Sequence, residues 1–204
     1  MIENIFWLGH STVKIKGEKT VYFDPWKLAK EDQADIILIS HSHYDHCSAE
    51  DVKKIRHDKT VIFTSADCAA QFSGDVRVLA PGETVREGGI IIEAVPSYNL
   101  DKAFHPRANN WLGFIVTIGG KRIYYAGDTD YVPEMQNIKA DIVIIPVGGK
   151  YTMTAAEAAR AVGVIGPEAA IPIHYGDIVG SLKDAEEFER SAGVPVIILP
   201  VSNG

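Results

Sequence analysis

The chain has 204 residues, a formal net charge of −7 and two cysteines. Hydrophobic residues make up 46% and charged residues 23%, which excludes fibrous, low-complexity and disordered chains and suits one sizeable core. The acidic balance disfavours a nucleic-acid partner, because nonspecific binding needs a basic surface to displace phosphate counterions.

In chain order, segments rich in Val, Ile, Tyr and Phe and bounded by Gly, Pro or Asp predict strands at 4–8, 11–15, 20–23, 36–40, 60–64, 76–79, 90–95, 112–118, 122–126, 142–147, 170–173 and 196–200. Positions 36–39 and 142–145 are apolar throughout, as in central strands covered on both faces. Helices are expected at 48–57, opened by a Ser48 cap, and over a shorter stretch at 66–72. Two more are expected at 154–164, where Thr154 and Glu157 form a capping box, and at 181–192, opened by Ser181 and Asp184. No apolar run approaches the ~20 residues of a membrane span. The first residues lack the basic and apolar regions of a signal peptide, and two cysteines cannot staple such a domain, so a cytoplasmic location is expected.

The two halves echo each other. Trp7-Leu8-Gly9 matches Trp111-Leu112-Gly113, Val21-Tyr22-Phe23 matches Ile123-Tyr124-Tyr125, and Ala34-Asp35-Ile36 matches Ala140-Asp141-Ile142, always in the same order. Either any two buried hairpins look alike, or the chain is an internal duplication with halves of about 1–110 and 111–204 inside one domain, 1–204. In the second case the functional site lies where equivalent strand ends meet.

The densest chemistry is His41-Ser42-His43-Tyr44-Asp45-His46, which offers four metal donors within six residues at the end of an all-apolar strand. Imidazole with carboxylate suits zinc and its first-row neighbours. Gly127-Asp128 follows another strand and could project a carboxylate, and His174 ends a third. His10, in a Gly-His turn, and His105, in Phe104-His105-Pro106, are further site candidates. Asp24 is a candidate to orient an imidazole. Cys47 and Cys68 read as small buried residues. The segment 97–110 reads as a lid or substrate wall. In Gly148-Gly149-Lys150, the glycines could present backbone amides to a substrate and Lys150 could attract an anion.

Together, the His41–His46 motif, Gly127-Asp128 and His174 resemble the metallo-β-lactamase superfamily over nearly the whole chain. Trp7-Leu8-Gly9-His10, Asp24-Pro25-Trp26 and Ala126-Gly127-Asp128-Thr129-Asp130 look more narrowly like its small bacterial and archaeal hydrolases, related to the L-ascorbate-6-phosphate lactonase and N-acyl-phosphatidylethanolamine phospholipase D branches. The resemblance implies an α/β, four-layer αββα sandwich. It also implies one or two divalent metal ions, zinc first, with manganese, iron or nickel as alternatives. His41 and His43 would bind the first metal, Asp45, His46 and His174 the second, and Asp128 would bridge them. A further His expected from a mid-chain loop is absent from Val95-Pro96-Ser97-Tyr98-Asn99, which puts a second ion in doubt unless His105 or His10 replaces it.

The expected activity is metal-dependent hydrolysis of a small-molecule lactone, ester, amide or phosphodiester, anionic substrates included. Asp45, His10 and Tyr175 are the catalytic candidates, and Asn99, His105 and Lys150 the substrate contacts. A metal-dependent nuclease and a noncatalytic metal-binding module are the alternatives. Oligomeric state is not readable from the sequence.

Overall fold

The computed structural model describes residues 1–29 and 31–202. Two six-stranded sheets lie face to face. The first runs in order β1 (Ile5–Gly9), β2 (Thr12–Lys16), β3 (Thr20–Phe23), β4 (Ile36–Ile39), β5 (Val61–Thr64) and β6 (Asp75–Val78). The second is ordered β12-β11-β10-β9-β8-β7, with β7 at Thr84–Glu87, β8 at Ile90–Pro96, β9 at Leu112–Ile118, β10 at Lys121–Tyr125, β11 at Ile142–Pro146 and β12 at Ala169–Ile173. Each sheet begins antiparallel and becomes parallel, at β3–β4 and at β10–β11.

Helices α1 (Ala49–Ile55) and α2 (Ala66–Ala69) lie on the first sheet's side, and α3 (Ala155–Ile165) and α4 (Leu182–Ser191) pack on β11 and β12. Strand period explains the layers. On β4, Ile36 and Leu38 enter the core between the sheets, while Ile37 and Ile39 join Tyr22, Val52, Ile55 and Ile62 beneath α1. The αββα sandwich is therefore present.

The echo holds at the level of register. Val21 pairs with Ile36 and Phe23 with Leu38, just as Ile123 pairs with Ile142 and Tyr125 with Ile144. The equivalent Phe23 and Tyr125 rings stack across the sheets at 4.7 Å. Other expectations need correction. The sheets divide the chain between β6 and β7, so β7 and β8 belong to the second sheet and a split at 110 misplaces them. Trp7 lies in β1, whereas Trp111 precedes β9, the counterpart of β2, so that match is not structural.

Strand β7 was not expected, because Thr84-Val85-Arg86-Glu87 is an edge strand with no buried position and two charged residues. The segment 196–200 is no strand. It touches β12 through Ala170–Val196, and Val201 touches β1 through Trp7, as isolated bridges only. Helix α1 starts at the Ser48 cap, which accepts from the Asp51 amide, and α3 has the expected capping box. Helix α2 is shorter than expected, ending at Ala69. Among the described residues, no helix is long and apolar enough to cross a membrane.

Candidate metal centre

Residues after β3 (Asp24), β4 (His41 to His46), β10 (Asp128) and β12 (His174) converge at the carboxyl ends of parallel strands, where α/β folds place ligands. The turn between β1 and β2 adds His10, and the segment after β8 adds His105. His10, Asp24 and His174 all have positive φ (47°, 42° and 61°), a costly conformation that the fold imposes where side chains must be aimed. Gly127 is needed next to Asp128: its φ is 64°, and a Cβ there would lie 2.8 Å from the Leu112 carbonyl oxygen.

Among the described residues three donor groups form, each within 4.8 Å: His41, His43 and His105; His10, Asp45, His46 and His174; and Asp24, His41 and His46, which shares a histidine with each of the first two. Asp128 sits between those two. Its Oδ2 is 3.3 Å from His105 Nε2 and 3.0 Å from His174 Nε2, and its Oδ1 is 3.4 Å from His46 Nε2.

Hydrogen bonding fixes which ring nitrogens are free. Asp24, fully buried, accepts from His46 Nδ1 (2.7 Å), Tyr125 Oη (2.7 Å), Ser40 Oγ (2.5 Å) and the Ser40 amide (2.7 Å). Because Ser40 gives its hydroxyl proton to Asp24, its oxygen accepts from His41 Nδ1 at 2.8 Å. His105 Nδ1 donates to Asn99 Oδ1 at 2.9 Å. In their neutral forms all three imidazoles therefore present a lone pair on Nε2. His41 Nε2 and His43 Nδ1 stand 3.0 Å apart, close to the ~3.3 Å separation of two nitrogens on one tetrahedral zinc. His46 Nε2, His105 Nε2 and Asp128 Oδ1 are buried with no hydrogen-bond partner. Orphaned buried donors of this kind are expensive unless a cation completes them, so the residues fit divalent metal.

Charges follow the same geometry. Burial disfavours the protonated forms of His41, His43 and His10 and lowers their pKa, although Asp45 partly offsets the effect at His10. Burial acts the same way on His46, but Asp128 and Asp24 outweigh it and hold His46 well above the usual histidine range. Burial would raise the Asp128 pKa; the surrounding His174, His46 and His105 instead keep it well below the carboxylate range.

Several expectations change. His105, named as a substrate contact and as a possible replacement for the absent ligand, lies with His41 and His43 in a group that could hold a metal ion. Asn99 is turned away from substrate: Oδ1 takes the His105 ring and amide, and Nδ2 donates to Asp130 and the Tyr151 carbonyl. Tyr175 stacks on Trp7 at 4.7 Å and lines the neighbouring cavity with Trp26 and Lys27, because the turn after His174 carries it away from the cluster. Lys150 is exposed, with its ammonium over the Tyr151 ring. The Gly149 and Lys150 amides donate to Met153 and Gly148 carbonyls rather than to a ligand. Segment 97–110 is anchored through Tyr98, Asn99 and Asp130, so it is a wall and not a loose lid. Cys47 and Cys68 are buried and free. His10 holds Asp45 Oδ2 at 3.0 Å.

The sequence did not point to Trp111, whose ring lies 4.8 Å from His41 and 4.9 Å from His43, nor to Asp130; a Trp and a second Asp carry no ligand spacing.

A family model described as a beta-lactamase superfamily domain matches residues 4–174. The chain belongs to the metallo-β-lactamase superfamily. A UPF0173 metal-dependent hydrolase of Thermoplasma acidophilum is 33% identical, covering 96% of this chain and 94% of its own. The crystal structure of a Parabacteroides distasonis protein matches at TM-score 0.86 and 31% identity, covering 97% and 93% of the two chains. A metallo hydrolase from Ignicoccus hospitalis shares the fold at TM-score 0.81 and 23% identity, over 97% and 95%. These relatives place the chain among the superfamily's metal-dependent hydrolases.

Proposed function

We propose that the protein hydrolyses a small-molecule acyl or phosphoryl bond at a two-cation centre, with zinc as the first choice of metal. His41, His43 and His105 would hold one cation, Asp45, His46 and His174 the other, and Asp128 both. The observation that carries this reading is the set of buried, partnerless donors on His46, His105 and Asp128 between two preassembled triads. Divalent cations bound there supply Lewis acidity and bring the pKa of a water towards neutrality.

The chain's own residues do the rest. Asp24 and Asn99 lock ring tautomers, so the donors need no rearrangement. Asp45 is more exposed than Asp128, which suits it to hold a proton of the attacking water and pass it to the leaving group. His10 keeps the Asp45 carboxylate aimed. Turnover of a generic ester and of bis(4-nitrophenyl) phosphate by metal-loaded protein tests the reading. Zinc-restored activity against both or either supports it, and no activity with any first-row metal contradicts it.

A further inference from the structure

Beside the metal donors, the cleft of about 200 Å³ is walled by Tyr44, Phe104, Tyr151 and Ile178, with no lysine or arginine among its lining residues. Three of these are unusually open to solvent for large hydrophobic side chains: Tyr44 68%, Phe104 45% and Ile178 46%. The wall is braced, because the Phe104 and Tyr151 rings pack edge to face at 4.7 Å. Lys150, whose ammonium lies over the Tyr151 ring, is not among the residues lining the cleft, and two further cations are engaged in ion pairs. Lys102 pairs with Asp130 at 2.6 Å, and Lys27 pairs with Asp177 at 2.6 Å.

Ile178 is the most telling of the four. Its φ is +63°, a region in which a β-branched residue is a genuine outlier. The Val179 amide donates to the Asp177 carbonyl at 2.7 Å, closing a three-residue turn around it. Glycine would sit there without strain, and Gly176 and Gly180 on either side do adopt positive φ. The chain instead places a branched apolar side chain at a strained position on the cleft wall, as functional sites do when a side chain must be held in one place.

We propose that the non-reacting part of the substrate is uncharged and apolar, an ester or lactone with an aliphatic or aromatic acyl group held by Tyr44, Phe104, Tyr151 and Ile178, and that Ile178 determines this specificity. The proposal rests on the hydrolase reading above. In the reaction, water adds to the acyl carbon, the carbon–oxygen bond breaks, and the departing alcohol oxygen takes a proton. The metal donors receive only the reacting group. A remote anionic group would meet no lysine or arginine among the residues lining the cleft, in a protein of net charge −7.

The test compares kcat/KM of metal-loaded protein for 4-nitrophenyl acetate, butyrate and hemisuccinate, each relative to its uncatalysed rate, with bis(4-nitrophenyl) phosphate as a fourth probe. Butyrate should exceed acetate by about tenfold, as burying two methylenes dictates, and should exceed the carboxylated hemisuccinate by at least as much. In Ile178→Gly the butyrate-to-acetate ratio should fall towards one, while the melting temperature holds or rises by about 2–4 °C as the strain is released. Phe104→Ala should lower the same ratio. Preference for hemisuccinate, turnover of the phosphodiester alone, or an unchanged ratio in both variants would overturn the apolar reading and leave the hydrolase reading standing. No turnover of any probe at verified metal content would overturn both.

Discussion

The two donor sets meet at Asp128 but are built differently. Both take two members from the segment 41–46 after β4; the set of Asp45, His46 and His174, with His10 beside it, gains its third member from the end of β12 and is held by Asp24 through His46. The set of His41, His43 and His105 borrows its third member from the segment 97–110, which holds no β-strand or α-helix. The first is completed by a residue that directly follows a strand. The second depends on one asparagine, because Asn99 holds both the His105 ring and its amide. A donor set can be completed from irregular chain, provided a buried hydrogen bond stands in for the missing strand.

Asp128 serves both sets, so Asp128→Asn is the harshest disruption. It removes a buried charge that faces three histidines and should weaken uptake of both metals by about 100-fold or more, measured by competition with a chelator. Asp24→Asn comes next. It touches His46 directly and His41 through Ser40, so both sets should lose about 10–100-fold in affinity. Asn99→Ala should lower affinity at the three-histidine set alone by about tenfold, read as one weakened and one unchanged site in calorimetric titration; equal weakening of both would break the distinction between the sets.

The smallest effect is a matter of protons. In the metal-free protein Asp128 and Asp24 favour the protonated form of His46 and raise its pKa, yet it must be neutral to bind metal. Metal binding should therefore release about one proton near neutrality and tighten as pH rises, until the raised pKa is passed. The sign for the metal-free fold is opposite: the His46 contribution is whole below about pH 6.5 and fades as pH climbs through the raised value. Titration in buffers of different ionisation enthalpy measures the release, and buffer-independent heats would contradict it.

Much of this was legible in the sequence because it is carried by dense local patterns. Two all-apolar strands, the His41–His46 run and the Gly127-Asp128 turn each declare themselves within a few residues, and the strand register repeats between the halves. His105 was visible as a substrate contact or as one possible replacement for an absent ligand, since its position depends on how segment 97–110 folds back onto Asp130. Tyr175 was misplaced because adjacency to His174 in sequence does not mean a shared direction: the backbone at His174 has φ 61°, and the next ring turns to Trp7. Of the cleft wall only segment 97–110, with Phe104, was legible, because Tyr44, Tyr151 and Ile178 come from three other segments with no spacing in common.

The central claim is that His105 completes a second metal site. Elemental analysis of protein purified without chelators, beside its His105→Ala variant, tests it most directly. The account predicts about two metals per chain in the parent and about one in the variant, with His46 and His174 keeping theirs. One metal per chain in both proteins would contradict it.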